Sequence, residues 1–475
     1  MNVIIVAANR NKHPVAVMPF GACLVAEAAE RAGHRVVFLD LMFKRDPGAA
    51  LAQVLRRAQP DVVGISVRNI DNNDMRHSVM FFEEIRPLTD IIRATTRAAV
   101  VLGGAAVGVM PEALLRYSGA DFVVQGHGPF VFPQFLFACG TGRKWETVNG
   151  LGWIENGIYR QTPRADPCSA ENYPVPRYKR WIDTGAYLSR FSSAPLQTKQ
   201  GCPFKCVYCT YSMSEGNKYR LFSPESVVRD VRALAAQGLT EIEFVDNVFN
   251  APYAHALSVC RSLAAASTGA HFQTVELNPR FIDKPLLYAM TGAGFTGIGI
   301  TAESAADPVL SGLGKGYTSE DVRRAAILVA RSPLPAFWMF MLGGPGETKE
   351  TVLRTIHFAE DYLRPNDIAF FNVGIRIYPG TQLEKIARQE GVLTVPPGEM
   401  LRTVTYVSPN IDAAWITAAV CRAVEKHDNF IHSDSLNLPF LPALFRIGHM
   451  VGFRQPLWKH IRILRKTLRT IGANV

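Results

Sequence analysis

Apolar and polar positions alternate in a regular pattern over the first 140 residues. Short apolar runs of strand length recur, and longer helix-forming stretches such as Ala22–Ala32 separate them. The predicted strands are Val3–Ala7, Arg35–Leu39, Val62–Val67, Ala99–Leu102 and Phe122–Val124. Apolar strands separated by helices indicate a parallel sheet that is covered on both faces. We therefore expect residues 1–140 to form a doubly wound, Rossmann-like α/β domain, whose ligands bind beyond the carboxyl ends of the strands.

The pattern changes at residue 141 and resumes at about residue 191. Residues 141–190 are rich in Gly, Pro, Asn and Tyr, and we interpret them as a linker with a hairpin that turns at Asn156-Gly157. Residues 191–395 again alternate strand and helix patterns, which predicts a partial (β/α)6 barrel with catalytic residues at the strand carboxyl ends. The predicted strands are Leu196–Thr198, Glu241–Val245, Phe272–Glu276, Gly297–Ala302, Ala336–Leu342 and Phe370–Ile377. Residues 396–475 are predicted to be a helical C-terminal region.

Size and composition narrow the class of protein. The 475 residues correspond to about two to four domains. A hydrophobic fraction of 48% and a charged fraction of 19% argue against a disordered chain. No uninterrupted apolar run reaches the ~18 residues of a membrane-spanning helix. The N-terminus is typical of a strand and lacks the features of a signal peptide, which predicts a cytoplasmic protein.

Basic charge is concentrated in the C-terminal tail. The net charge is +10, but no acidic residue follows Asp434. The basic residues of the tail are Arg446, Arg454, Lys459, Arg462, Arg465, Lys466 and Arg469. The rest of the chain is therefore nearly neutral, and we expect no nucleic-acid partner.

The tail also has the apolar spacing of an amphipathic helix. One helical face carries Leu457, Ile461, Leu464 and Leu468. Such a helix could dock on the protein's own surface, for example over the bottom of the barrel. It could also lie on the inner membrane surface as a peripheral contact, or bind an acidic carrier or substrate.

Three of the eight cysteines crowd into one short segment. Cys202, Cys206 and Cys209 follow the first barrel strand, and such a cluster in a long cytosolic chain indicates a metal site rather than a disulfide framework. Three thiolates would leave one iron of a [4Fe-4S] cluster open, because these clusters normally take four. A zinc knuckle is the alternative, but no Cys or His follows Cys209 until His255.

The cysteine segment resembles the signature of the radical S-adenosylmethionine (SAM) superfamily. Its spacing is C-x3-C-x2-C, with the aromatic Tyr208 just before the last cysteine. The resemblance implies that SAM chelates the open iron and that a reductant such as flavodoxin or ferredoxin drives its cleavage to a 5′-deoxyadenosyl radical.

Several later positions match that family's SAM contacts, each after a predicted strand. These positions are Asp246, Asn247, Glu303, Gly343, Gly344 and Pro345. Glu303 could equally be a loop carboxylate with ordinary partners, and residues 343–346 a plain tight turn. Arg376 either belongs to this set or forms a structural salt bridge.

The order of the two domains resembles the cobalamin-binding class of the same superfamily, whose class B members are methyltransferases. The matching positions in the first domain are Ser66, Gly103, Gly104, Gly126 and His127. The resemblance covers about residues 1–390 and implies that the first domain binds cobalamin. The D-x-H-x-x-G motif of an axial histidine is absent, since the corresponding loop is Asn9–Pro14. A degenerate domain without cobalamin therefore remains an alternative. The polar loop Asn69–Asn73 could hold cobalamin or substrate, or could simply be solvated.

The resemblance implies a cobalamin-dependent radical SAM enzyme that methylates an unactivated carbon of a lipid or natural-product intermediate, through a 5′-deoxyadenosyl radical and methylcobalamin. Methylation would consume two SAM per turnover and release S-adenosylhomocysteine. One alternative keeps the cofactors but catalyses oxidation, cyclisation or rearrangement without methyl transfer. Another is a non-catalytic iron–sulfur scaffold or binding protein. The sequence shows no hydrolytic triad, and catalytic side chains are not assigned.

Overall fold

Two seven-stranded sheets organise the chain. The computed structural model describes residues 1–142, 144–164, 175–433, 447–448, 450 and 452–470, with the backbone alone for residues 467–470. Arg446 lies outside the described residues, as do the side chains of Leu468 and Arg469.

The first sheet begins as the predicted doubly wound domain. Its strands are β1 (Asn2–Ala7), β2 (Arg35–Asp40), β3 (Val62–Ser66), β4 (Ala99–Gly103), β5 (Phe122–Val124), β6 (Leu151–Glu155) and β7 (Ile158–Gln161). They lie in the order β2-β1-β3-β4-β5-β6-β7, parallel through β5 and antiparallel beyond it. The central strands are buried throughout because helices cover both faces.

Six helices accompany this sheet. They are α1 (Phe20–Arg31), α2 (Pro47–Ala58), α3 (Ile85–Thr95), α4 (Ala105–Val109), α5 (Pro111–Ser118) and α6 (Gly128–Thr141). Helices α1 and α6 pack together, and α2 packs with α3. Asp46 caps α2 by accepting from the Ala49 amide at 2.9 Å.

The predicted linker contributes two strands to the first sheet. The β6–β7 hairpin turns at Asn156-Gly157, as predicted, with positive φ angles of 50° and 79° at the two residues. Two short helices follow, α7 (Tyr178–Trp181) and α8 (Thr184–Leu188). Arg177 and Trp181 donate hydrogen bonds to the fully buried carboxylate of Glu27 in α1. The connecting segment is thereby fastened to the first domain.

The second sheet is the predicted partial barrel with one more strand. Its strands are β8 (Ala194–Leu196), β11 (Glu241–Phe244), β12 (His271–Leu277), β13 (Phe295–Glu303), β14 (Ala336–Leu342), β15 (Ile368–Val373) and β18 (Phe430–His432). Two separate two-stranded antiparallel sheets lie along this part of the chain, formed by β9 (Lys199–Gln200) with β10 (Arg220–Leu221) and by β16 (Ile375–Arg376) with β17 (Thr405–Tyr406). The barrel order is β8-β11-β12-β13-β14-β15-β18, all parallel. The sequence pattern missed β18 because three residues carry no measurable periodicity.

Further helices connect the barrel strands or follow the last one. They are α9 (Tyr211–Glu215), α10 (Pro224–Ala236), α11 (Tyr253–Ala266), α12 (Lys284–Ala293), α13 (Asp307–Gly312), α14 (Ser319–Ala330), α15 (Lys349–Tyr362), α16 (Gln382–Gln389), α17 (Ala413–Lys426) and α18 (Ile461–Thr470). Alternate residues of β14 face these helices. Trp338 and Phe340, for example, contact the ring of Phe358 in α15.

The basic tail docks on the protein's own surface. Leu457 and Leu464 pack against Phe191, just before the first barrel strand. Trp458 and Pro456 fill the space over Gly297, where a Cβ atom would come within 2.7 Å of both. Gly297 lies near the amino end of β13, so the tail closes the bottom of the barrel. In the parts of the chain that the structure describes, no helix is long and apolar enough to cross a membrane.

Candidate active site at the carboxyl ends of the barrel strands

The three clustered cysteines lie in a loop between β9 and α9. Gly201 precedes them with a φ of +79°, and a Cβ atom there would lie 2.1 Å from the Lys218 carbonyl oxygen. Glycine is therefore required at this turn. The amide of Cys202 donates to Gly216 O at 3.1 Å, and that of Cys209 donates to Cys206 O at 3.2 Å. These backbone contacts set the path of the loop.

The cysteine side chains form a set of neighbouring free thiols. Cys202 is buried, and Cys206 and Cys209 are half-buried. Burial, together with the two other thiols, raises the pKa of Cys209 to about 12, while a backbone hydrogen bond from Tyr211 and the charge of Lys315 oppose the shift. A bound cation has to supply the charge that keeps these groups ionised, which fits thiolate ligation of iron.

The described side chains do not form a site for a single metal ion. Among the described residues, no group of three or more His, Cys, Asp or Glu side chains is arranged to hold one metal ion. In a [4Fe-4S] cluster each cysteine binds a different iron, so the thiolates need not converge on one point. The hydroxyl of Tyr219, beside Cys202, is buried and hydrogen-bonds no described group. It is a donor without an acceptor at the place where a cluster or its ligand would lie.

The Asp246 carboxylate binds the strand that leads into the cysteine loop. It accepts hydrogen bonds from the Thr198 amide at 2.7 Å, the Thr198 hydroxyl at 2.5 Å and the Lys199 ammonium at 2.9 Å. Asn247 donates to Glu215 Oε2 at 2.8 Å, and the Gly201 amide donates to the same oxygen at 3.1 Å. Both predicted SAM contacts therefore brace the start of the cysteine loop.

Glu303 ends β13 within a buried cluster of polar groups. Its φ is +58°, and its Oε1 accepts from the Tyr208 hydroxyl at 2.7 Å and from the Lys315 ammonium at 3.0 Å. Lys315 also donates to the Tyr208 hydroxyl at 3.0 Å. Because Tyr208 belongs to the cysteine motif, this triad joins Glu303, a predicted SAM contact, to the cysteine loop.

The glycine loop after β14 packs beside the same region. Gly343 has a φ of +94°, and its amide donates to Glu347 Oε2 at 3.1 Å. A Cβ atom on Gly344 would lie 3.0 Å from the Leu313 side chain, and the Leu313 carbonyl accepts from the Val207 amide at 3.0 Å. The loop, which continues into Pro345, is thereby held next to the cysteine segment.

The predicted cobalamin positions share one edge of the first sheet. Ser66 and Gly103 end β3 and β4, and a Cβ atom on Gly103 would meet nothing within 4 Å. Gly104 has a φ of +101° and no room for a side chain, since a Cβ atom would lie 2.4 Å from the Val67 carbonyl oxygen. Gly126 follows β5 with a φ of +78°. These features leave an open backbone surface that a large ligand can approach.

His127 lies at the same edge but faces the barrel. Its Nε2 accepts a hydrogen bond from Arg220 Nη2 at 2.7 Å. Burial, and after it the charge of Arg220, lowers the pKa of His127 to about 4. The imidazole is therefore neutral at pH 7, with Nε2 used in a contact between the domains.

The polar loop Asn69–Asn73 holds the domains together. Asp71 accepts from Arg376 Nε at 2.7 Å, with both side chains buried. Asn73 accepts from the Tyr378 hydroxyl at 2.8 Å. Of the two roles considered for Arg376, the structure shows the salt bridge.

Sequence reasoning missed three charged residues between the domains. Arg68 follows β3, and its charge acts on Glu243 of β11 and on Tyr211 of α9. Glu276 lies near the end of β12, close to Glu303 and Glu243. The alternation Glu-Ile-Glu-Phe at residues 241–244 was a signal that could have placed Glu243 on the inner face of the barrel.

Comparison with known proteins agrees with this arrangement. The model of the B12 binding domain matches residues 8–136, and that of the radical SAM superfamily matches residues 196–359. The chain is 28% identical over 379 residues to the uncharacterized methyltransferase PH0819 of Pyrococcus horikoshii, covering 79% of each chain. It is 25% identical over 463 residues to the tryptophan 2-C-methyltransferase of Streptomyces laurentii, covering 83% of this chain and 76% of the other.

A solved structure matches nearly the whole chain. The radical SAM methyltransferase TsrM from Kitasatospora setae, bound to tryptophan and a SAM analog, superposes with a TM-score of 0.87 over 99% of each chain at 25% identity. Another structure of the same protein contains cobalamin and a [4Fe-4S] cluster. This chain combines a B12 binding domain with a radical SAM domain and is homologous to the cobalamin-dependent radical SAM methyltransferases. The predictions of family, fold class, enzyme and the family's cofactor set are thereby confirmed.

The two matched domain families correspond to the two sheets of the structure. The edge of the first sheet with the exposed backbone faces the end of the barrel that carries the cysteine loop, joined to it by Asp71–Arg376 and His127–Arg220. The individual contact residues, the reductant and the membrane contact stay predictions.

Proposed function

We propose that this enzyme binds a [4Fe-4S] cluster through Cys202, Cys206 and Cys209, with SAM at the open iron and cobalamin above it, and that it methylates a carbon of a small molecule. SAM and cobalamin supply the methyl group and carry it. The chain supplies the ligands, a closed space and the relative position of the reacting groups. The observation that carries the proposal is that the first domain is joined by Asp71–Arg376 and His127–Arg220 to the end of the barrel that carries the cysteine loop.

Two groups of residues are proposed to hold SAM. Glu303 would accept from the ribose hydroxyls, with Lys315 and Tyr208 fixing its carboxylate. The backbone of the Gly343–Pro345 loop would contact the adenine, because glycine permits close approach. Asp246 and Asn247 would act on the methionyl end, and the hydrogen bonds that they already make indicate that they act by shaping the cysteine loop.

Cobalamin is proposed to lie on the first domain, on the surface formed by Ser66, Gly103, Gly104 and Gly126. The fit rests on the open space over Gly103 and on the positive φ angles of Gly104 and Gly126, which glycine adopts without strain. His127 would border this surface through its carbon atoms, because its Nε2 is bonded to Arg220.

The acceptor is proposed to be a small molecule of natural-product or lipid metabolism. The tryptophan bound to TsrM and the name of the Streptomyces laurentii relative make tryptophan the first compound to test. Oxidation, cyclisation or rearrangement with the same cofactors is the competing outcome, because an anaerobic magnesium-protoporphyrin IX monomethyl ester cyclase of Rubrivivax gelatinosus is also similar, at 23% identity over 342 residues.

Product stoichiometry tests the proposal. The enzyme is purified anaerobically with cobalamin, reduced, and incubated with SAM labelled in its methyl group and with a panel that begins with tryptophan. Labelled methyl on a panel compound, with S-adenosylhomocysteine released in step, is the expected result. Turnover that yields only 5′-deoxyadenosine and an unmethylated product would support the competing outcome and contradict methyl transfer.

A further inference from the structure

One wall of the barrel lumen is apolar. Since Trp338 and Phe340 of β14 face the outer helices, strand alternation turns Phe337, Met339 and Met341 toward the lumen. These three side chains are half-buried although they lie inside the barrel, as expected for residues that line an open space.

The apolar wall continues across β15 and ends at a closed floor. Phe370 stacks on Phe337 with ring centroids 5.6 Å apart. Trp458 of the tail approaches the same Phe337 ring at 5.8 Å from below. A ligand in the lumen would therefore lie against aromatic and methionine side chains.

The wall of the lumen opposite β14 and β15 carries hydrogen-bond acceptors. Gln273 of β12 donates through Nε2 to Glu243 Oε2 at 2.8 Å and to Ser193 Oγ at 2.9 Å. Ser193 in turn donates to Gln455 of the tail. These contacts fix the orientation of the Gln273 amide, and its Oε1 is left buried with no hydrogen-bond partner among the described residues. A buried acceptor of this kind calls for a donor from a ligand or water.

Glu276 adds a second carboxylate near the same wall. The side chain of Glu276 is half-buried. No described residue donates a hydrogen bond to its carboxyl oxygens. Burial, and after it the negative charge of Glu303, raises the pKa of Glu276 to about 8, while the positive charge of Lys315 opposes the shift. Lys315 donates its hydrogen bonds to Glu303 and to Tyr208, and Glu276 with this raised pKa holds a proton at pH 7 while no ligand cation lies beside it.

The polar groups of this wall are therefore mostly hydrogen-bond acceptors. Glu243 and the Gln273 amide oxygen can accept hydrogen bonds, and Arg68 is a cation that acts on Glu243 from the first domain. Glu276 becomes a second carboxylate when a cation binds beside it. A ligand that matches this surface donates hydrogen bonds, carries positive charge and has an apolar body. An anionic lipid head group would be repelled by the Glu243 carboxylate and would receive no hydrogen bond from the Gln273 amide oxygen.

We propose that the methyl acceptor is a small cationic molecule, an amine with an aromatic-sized apolar body, whose N–H groups face Glu243 and Glu276 and whose body lies against Phe337 and Phe370. The inference rests on the proposed function, since it takes the lumen as the acceptor site. It names the substrate class, which the family does not fix.

Binding of three matched probes to the full-length holoenzyme tests the inference. The probes are 4-phenylbutylamine, 4-phenylbutan-1-ol and 4-phenylbutanoate, which differ in the charge of one terminal group. Dissociation constants are measured by ligand-observed NMR at pH 7 with S-adenosylhomocysteine present. We expect the amine to bind about tenfold tighter than the carboxylate, as expected for a charge that meets a partly desolvated partner.

Substitutions assign the preference to the two carboxylates. Glu243→Gln and Glu276→Gln should each weaken amine binding about fivefold or more and leave alcohol binding unchanged. Glu225→Gln, which removes an exposed charge at the start of α10, should change neither. Phe337→Ala should weaken amine and alcohol alike, which shows that the probes occupy the lumen.

Three outcomes would overturn the inference: carboxylate binding as tight as amine binding, equal loss of amine and alcohol in the Glu→Gln variants, or no binding of any probe. Methyl transfer from SAM to cobalamin needs no acceptor and is measured on the same preparations. A preparation that performs this transfer but prefers the carboxylate rejects the substrate class alone. A preparation that loads no cluster or cobalamin rejects the proposed function.

Discussion

Arg376 donates from Nε to Asp71 Oδ2 at 2.7 Å, and both side chains are almost completely buried between the two domains. Arg376 also donates to the carbonyls of Ile377 and Met400, so its remaining donors are satisfied. Removing two charges from water is costly. The attraction within a buried ion pair offsets this cost only when the geometry of the pair is good and the remaining polar atoms of both side chains are hydrogen-bonded. Here those conditions hold, and the pair fixes the first domain over the open end of the barrel.

Breaking this pair should be costly. In Asp71→Asn, the Arg376 charge stays buried without a counterion, and we expect the free energy of unfolding to fall by about 3 kcal/mol. Denaturant unfolding of the full chain measures the loss. The exposed pair Arg402–Glu83 also joins the two parts of the chain, at 3.4 Å, and Glu83→Gln should cost at most about 1 kcal/mol. Equal costs for the two substitutions would show that burial of the pair contributes nothing.

Lys315 should matter for SAM more than for the cluster. Lys315→Met removes the cation that holds the Glu303 carboxylate and the Tyr208 hydroxyl. We expect about tenfold weaker SAM binding, measured by equilibrium dialysis, with unchanged iron content. Tyr208→Phe keeps the Lys315–Glu303 pair and should have a smaller effect. Unchanged SAM affinity in Lys315→Met would contradict the assignment of Glu303 to SAM.

Glu276 should make folding stability depend on pH. Its pKa is about 8 in the folded chain, against an ordinary value of 4.5. Between these values the folded protein keeps a proton that the unfolded chain has lost, so stability falls as the pH rises through this window and levels off above pH 8. In Glu276→Gln this contribution is absent, and Tm should fall less between about pH 6 and pH 9 than in the wild type or in Glu225→Gln. Parallel Tm profiles would contradict the buried carboxyl. The groups that act on Glu276 are Glu303, Lys315 and Glu243.

His127 should not ligate cobalt. Its Nε2 accepts from Arg220, and its low pKa of about 4 agrees with a neutral ring held in that bond. The paramagnetic resonance spectrum of bound cob(II)alamin should therefore show no splitting from a histidine nitrogen, and His127→Gln should keep cobalamin affinity within about threefold. Nitrogen splitting in the wild type that disappears in His127→Gln would reverse this assignment.

The sequence was most informative where function depends on local spacing. The cysteine motif, the strands of both sheets other than β18 and the turn at Asn156-Gly157 are set by neighbouring residues, and each could be predicted. The contacts between domains could not, because Asp71 and Arg376 lie 305 residues apart and a polar loop residue looks the same whether it is solvated or paired. The inward direction of Glu276 also depends on an irregularity between Thr274 and Leu277, which interrupts the simple alternation of strand faces.

The surface on which the C-terminal tail docks could not be predicted from the sequence either. Its amphipathic spacing was recognised, but the surface that its apolar face covers was left open among three alternatives. Phe191 and Gly297, which receive Leu464 and Trp458, lie far away in sequence and carry no signal of that contact.

Iron in the Cys202–Cys206–Cys209 loop is the central claim, and one spectroscopic measurement tests it most directly. The anaerobically reconstituted protein is reduced, and its electron paramagnetic resonance spectrum is recorded with and without SAM, beside Cys206→Ala. We predict a [4Fe-4S]⁺ signal that shifts when SAM is added, and the loss of both signal and iron in Cys206→Ala. A Cys206→Ala protein that keeps its iron, or a wild-type signal that SAM leaves unchanged, would contradict a cluster with an open iron at this loop.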